Sequence, residues 1–107
     1  MRQKIIISTF LVFIALSIKC SKSDFSIRIK NQYQEQLNVM VGTVKFFDIL
    51  SGQTTAYKPI DKGQFNVVGG TSSGKSIWSS IKLDGSGTHK WTVTIESTGE
   101  LTLNRDN

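Results

Sequence analysis

The segment of this chain that most resembles chemical machinery is Gly69-Gly70-Thr71-Ser72-Ser73-Gly74-Lys75-Ser76. It fits the phosphate-loop pattern of two glycines separated by four residues and followed by Lys and Ser. In that chemistry backbone amides would cradle phosphates, Lys75 would reach the terminal phosphates and Ser76 would hold magnesium. The pattern works only where a helix opens at the lysine, a parallel sheet stands behind it and an acid at the end of a later strand binds the magnesium. Ile77-Trp78-Ser79-Ser80-Ile81-Lys82-Leu83 instead alternates like a strand and stops at Asp84-Gly85. A Gly/Ser hairpin loop is therefore expected. Because Phe65-Asn66-Val67-Val68 resembles an incoming strand, a nucleotide-binding enzyme using residues 69–76 stays as an alternative.

The other reactive groups are scattered. The single histidine, His89, lies beside Lys90 in an expected turn, and the single cysteine, Cys20, is far from it in sequence. A zinc site needs about four converging ligands, so no metal site and no cofactor are expected. Ser, His and Asp are all present but form no nucleophile elbow, so no catalytic residue is assigned and the chain is read as a non-enzyme. Asp48, Asp61, Asp84 and Asp106 sit near turn signals and read as turn stabilisers, since Asp84-Gly85-Ser86-Gly87 lacks the carboxylates of a calcium loop.

Four aromatic residues, Tyr33, Tyr57, Trp78 and Trp91, could offer a stacking surface to a sugar or a partner protein. Trp91 shares the phase of Val93 and Ile95 and is expected in the core. Trp78 is out of phase with Ile77 and Ile81, so it is the candidate interface anchor, with Tyr33 beside it in that role. Cover by a loop or by the edge of a second sheet is the alternative for Trp78.

The elements that must position these residues are strands. Phe25, Ile27 and Ile29 alternate with polar residues, as do Leu37, Val39 and Val41, and then Ile77, Ser79, Ile81 and Leu83; Trp91, Val93 and Ile95 repeat the pattern. Turn signals separate the runs at Ser51-Gly52, Asp61-Lys62-Gly63, Gly69-Gly70, Asp84 to Gly87 and Thr98-Gly99. The spacing predicts about seven strands, over 25–30, 37–47, 54–58, 64–68, 76–83, 91–96 and 100–104, with a bend or bulge in the long second one. The fold class is all-β, an antiparallel sandwich over residues 25–107. Phe25, Val39, Val41, Phe65, Val67, Ile81, Trp91, Val93 and Leu101 are the core candidates.

Residues 52–67 carry a recognisable pattern, with Thr54, Thr55, Tyr57, Ile60 and Gly63 followed by alternating Phe65 and Val67. It resembles the central hairpin of transthyretin-like and related Ig-like bacterial modules. The resemblance implies that Tyr57 packs over the sheet while its hydroxyl reaches backbone at the turn. It is silent about activity.

The N-terminus reads as an address. Arg2 and Lys4 precede an apolar run from Ile5 to Ile18, and Lys19-Cys20-Ser21-Lys22-Ser23-Asp24 follows. A run of 14 residues suits an export signal, whereas a spanning helix needs about 20. Residues 1–19 are thus expected to be a signal peptide and 20–24 a tether. Ala15-Leu16-Ser17 permits ordinary cleavage after Ser17, which would leave a soluble secreted protein. Cys20 with its polar followers resembles the lipidation site of small Bacteroidetes-type lipoproteins, which implies a lipid anchor in the periplasm or on the outer membrane. Cleavage at Cys20 would remove three cations and no acid, lowering the formal charge from +5 to +2. The basic balance then says little about nucleic acid, and no nucleic-acid partner is expected. The expected function is an exported, membrane-tethered binding module for an envelope protein or glycan, with a secreted inhibitor or accessory protein as a further alternative.

Overall fold

A computed structural model describes residues 24–107. The expected signal peptide, Cys20 and all of the expected tether except Asp24 lie outside the described residues. Among the described residues there are eight strands and no helix: β1 (Asp24–Asn31), β2 (Leu37–Val41), β3 (Val44–Ile49), β4 (Lys58–Ile60), β5 (Gly63–Thr71), β6 (Ser76–Leu83), β7 (Thr88–Ile95) and β8 (Leu101–Arg105). They form two four-stranded sheets, one ordered β4-β1-β7-β8 and the other β3-β2-β5-β6. The chain is an all-β sandwich.

Alternation along each strand builds the interior. Ile27, Ile29, Val93 and Ile95 from the first sheet meet Leu37, Val39, Val41, Val67 and Leu83 from the second, each almost wholly removed from solvent. Burying a side chain of this size stabilises by about 1.5–3 kcal/mol, and these interleaved rows make the period-two pattern decisive. Phe65 and Leu101, expected in the core, pack against it but stay partly exposed.

Three details differ from the sequence expectation. The long second run is a hairpin, because Gly42 adopts a φ of 60° and a two-residue turn then pairs Val41 with Val44. A Cβ at Gly42 would approach Phe65 Cδ1 to 2.8 Å, so glycine answers both the dihedral and the space. The bend or bulge expected in this run is present: the β2–β3 register shifts between Phe46 and Ile49, where Asp48 has a φ of 58°. The third strand is observed at Lys58–Ile60; ahead of it Thr54 forms only an isolated bridge to Lys30, and Thr55 is held to β1 through its backbone and its hydroxyl, which accepts from the Ile29 amide at 3.0 Å. Finally, one pairing is parallel: β1 runs alongside β7 from Asp24↔Thr88 to Asn31↔Ile95.

A buried polar knot ties one end of the sandwich. Asn31 is fully enclosed; its amide donates to the carbonyls of Glu35 and Ile49 at 2.9 and 3.0 Å and its Oδ1 accepts from the Tyr33 amide at 2.9 Å. Three satisfied bonds make its burial tolerable.

Candidate binding surface

Each sheet turns one face outward, and the two differ in chemistry. On the β4-β1-β7-β8 face, Asp106 Oδ2 accepts from the Tyr57 hydroxyl at 2.7 Å and from the Thr92 hydroxyl at 2.6 Å. Arg28 Nε donates to Thr92 Oγ1 at 3.0 Å and lies 3.9 Å from Asp106 Oδ2. The Arg28 guanidinium and the Lys90 ammonium stand 4.6 and 5.1 Å from the Tyr57 ring centre. Burial works to raise the Asp106 pKa, but the bonds from Thr92 and Tyr57 and the charges of Arg28 and Lys90 outweigh it and hold the carboxyl below its ordinary range. The same bond to Asp106 pushes the Tyr57 phenol up. Tyr57 does staple a sheet, but its hydroxyl reaches a carboxylate on the C-terminal segment and not the backbone of a turn.

The β3-β2-β5-β6 face is open. Cross-strand register sets Trp78 on β6 opposite Val68 on β5, Val68 opposite Met40 on β2, and Met40 opposite Lys45 on β3. Trp78 is 66% exposed, Val68 46% and Met40 36%, and Phe47 on β3 is also exposed. Around the indole lie Ser76 and Ser80 on its own strand and Asn66 and Gly70 diagonally across on β5. The side chains of Ser76, Ser80 and Asn66 take no part in the hydrogen bonds among the described residues, and a Cβ at Gly70 would meet nothing within 4 Å. The surroundings of Trp78 are therefore flat, uncharged and supplied with idle donors and acceptors.

The other residues singled out by sequence fall as follows. Tyr33 is 7% exposed and belongs to the core cluster, so its ring has no part in an outer surface. Its backbone explains this, since its amide is bound by Asn31. Trp91 is buried in contact distance of Phe25, with ring centres 5.9 Å apart, and its indole N–H has no partner among the described residues. His89 is not in a turn but within β7, its ring 5.6 Å from that of Phe25. Residues 69–76 form the end of β5, a turn and the start of β6. No helix rises from Lys75. The turn instead grips a carboxylate of the same chain: Glu35 accepts from the Ser73 amide at 2.9 Å and from the Ser72 and Ser73 hydroxyls at 3.1 Å each. These bonds, led by that of the Ser73 hydroxyl, lower the Glu35 pKa. The phosphate-like pattern in the sequence thus does bind an anion, its own Glu35. Nothing in the sequence signalled that pairing.

No family model matches the chain, and no curated protein is similar to it in sequence. Among solved structures, the NMR structure of a protein from Eubacterium rectale matches over 85% of this chain and 96% of that one, with a TM-score of 0.50 and 15% identity. At that identity the likeness concerns the fold alone.

Proposed function

We propose that the protein is a non-enzymatic binding module of the cell envelope that presents the open face around Trp78 to a neutral glycan. The observation that carries this is the exposed indole in an uncharged setting of serine hydroxyls and an asparagine amide. A pyranose ring offers an apolar C–H face to an aromatic surface and a rim of hydroxyls to amide and hydroxyl groups; the site supplies both kinds of contact. Charged partners find little there, since the flanking cations Lys45 and Lys82 stand at the margins of the face. Lipidation of Cys20, following export, would hold the domain at the membrane by its N-terminal tether. One acyl chain binds membranes only reversibly, while two or more anchor durably. The two-sheet architecture agrees with the transthyretin-like or Ig-like resemblance of residues 52–67.

The experiment is a fluorescence titration of the protein with soluble neutral polysaccharides and, in parallel, with polyanionic ones. Trp91 is buried and serves as a silent reference, so any saturable emission shift comes from Trp78. A shift with a neutral glycan supports the proposal; a shift with polyanions alone would refute it. Calorimetry with ATP and magnesium tests the enzyme alternative. Binding that is lost in Lys75→Ala would favour that alternative. Intact-mass analysis of the exported protein tests the anchor: an acylated Cys20 is expected, and a chain beginning at Ile18 would refute it.

A further inference from the structure

The four sheet edges are not equally protected. β4 has three residues, among them Pro59 and Lys58. β3 is bulged at Asp48 and carries Lys45. β8 has five residues and ends in Arg105. Short length, proline, bulges and charge are the usual protections of an unpaired edge. β6 has eight residues in unbroken register, no proline, no bulge and one charge, Lys82.

The direction of its free backbone groups follows from the ladder. The Thr71 amide donates to the Lys75 carbonyl at 2.9 Å, so the β5–β6 pairs in step with it, Gly69–Ile77, Val67–Ser79 and Phe65–Ile81, are the hydrogen-bonded ones. The Gly42 amide confirms this from the far side of β5: it donates to the Asn66 carbonyl at 3.0 Å, so Asn66 faces away from its partner Ser80. The N–H and C=O of Ser76, Trp78, Ser80 and Lys82 are therefore directed at the open edge. No other backbone group among the described residues bonds to them.

We propose that β6 pairs antiparallel with β6 of a second copy about a two-fold axis at Ser80, joining two four-stranded sheets into one of eight. Edge-directed residues must face one another, which leaves two registers that use seven residues of each strand. The one centred on Ser79 sets Trp78 against Ser80. The one centred on Ser80 sets Trp78 against Lys82 of the second copy, on the outer face, and Ile77 against Leu83 on the inner face. An ammonium over an indole is the favourable pairing, and it turns the one charge on this edge from a deterrent into a contact. This complementarity favours a second copy over an unrelated extended peptide. Pairing of one edge with itself is also closed at two copies. The proposal rests on the β6 backbone and not on the glycan reading, with which it competes, since the Lys82 ammonium of the second copy and a sugar ring would take the same face of Trp78.

The test is the mass of the full chain, taken in the form the cell leaves it and measured by light scattering in mild detergent as a function of concentration. Ser80→Pro removes only an N–H that faces the edge and leaves the β5–β6 ladder whole, whereas Ser80→Asp sets two carboxylates opposite each other across the axis. A concentration-dependent dimer is expected for the native chain and a monomer for both variants, with unchanged circular dichroism. A native chain that stays monomeric up to about 1 mM overturns the proposal, since no useful affinity would remain. So do variants that dimerise like the native chain, or an assembly that grows beyond two copies. Should Ser80→Pro fail to fold, Ser80→Asp decides, because its side chain lies in solvent in the monomer.

Discussion

The two outward faces are built from the same element and follow the same alternation, yet one is closed and the other is bare. Across β1 and β7 a connected set of side chains is engaged: Arg28, Tyr57, Thr92 and Asp106 bond to or stack on one another, and Lys90 adds its charge over the Tyr57 ring. Across β5 and β6 the side chains opposite one another, Val68 with Trp78 and Asn66 with Ser80, leave their apolar surface and polar groups to the solvent. Folding alone needs neither arrangement, since both faces lie outside the core. The closed face ties the C-terminal segment onto the first sheet through Tyr57 and Asp106. Around Trp78 the side chains of β5 and β6 tie nothing, and a tryptophan kept 66% exposed where a serine would fold as well is best understood through what it touches from outside.

The sharpest way to break the comparison is Trp78→Ala. Truncating a tryptophan anchor costs about 2 kcal/mol of binding or more, so affinity for a neutral glycan should fall about 30-fold or further. Stability should change by less than about 1 kcal/mol, since only the cross-strand contact with Val68 is lost. Titration and thermal melting read the two effects separately. A variant that unfolds would place Trp78 among the structural residues and erase the contrast between the faces.

The reverse experiment is made on the closed face. Asp106→Ala should cost about 1–2 kcal/mol of stability, as Tyr57 and Thr92 both lose their acceptor, while glycan binding is unchanged. Denaturant unfolding checks the first and titration the second. The pH profile follows from the same bonds. Asp106 and Glu35 have carboxyl pKa values lowered by folding, so they add stability above the unfolded-state value and lose it as pH falls through the folded one. Tyr57 has its pKa raised, so its contribution holds below the ordinary phenol value and fades as pH rises through the raised one. Stability should therefore fall below about pH 4 and again above about pH 10. In Asp106→Ala the alkaline fall should shrink, because the bond that does most to raise the Tyr57 pKa is gone, and the acid fall should shrink to the part owed to Glu35.

How much of this was legible in the sequence depends on the range of the interaction. The core rows of Ile27, Ile29, Val39, Val41 and Val93 show as alternation because burial on one face of a strand is a local, period-two demand. Trp78 shows by the same logic, being out of phase with its buried neighbours Ile77 and Ile81. Tyr33 departs from its expected place on an outer surface because it lies outside any strand, where phase has no meaning, and its burial is decided by Asn31 and the knot at the end of the sheets. The parallel β1–β7 pairing, Asp106 beneath Tyr57 and Glu35 in the β5–β6 turn all join residues far apart in the chain. Such pairings leave no periodic trace. The Gly42 turn does carry a local signal, as a glycine-led pair between two alternating runs marks a tight hairpin.

A finer probe separates what the open face does for folding from what it does for binding. Gly70 lies on that face between Asn38 and Ser76 and diagonal to Trp78, has an ordinary strand conformation, and has open space where a Cβ would stand. Gly70→Thr removes freedom from the unfolded chain and adds a side chain suited to strands, so stability should rise by about 0.5–1 kcal/mol. The new methyl and hydroxyl groups would stand beside the indole, where a sugar ring must lie flat. Affinity should therefore fall several-fold as the melting temperature rises. If binding instead strengthened along with stability, the flatness conferred by Gly70 would be irrelevant to recognition, and the contact would have to centre on Met40 and Phe47, further along the face.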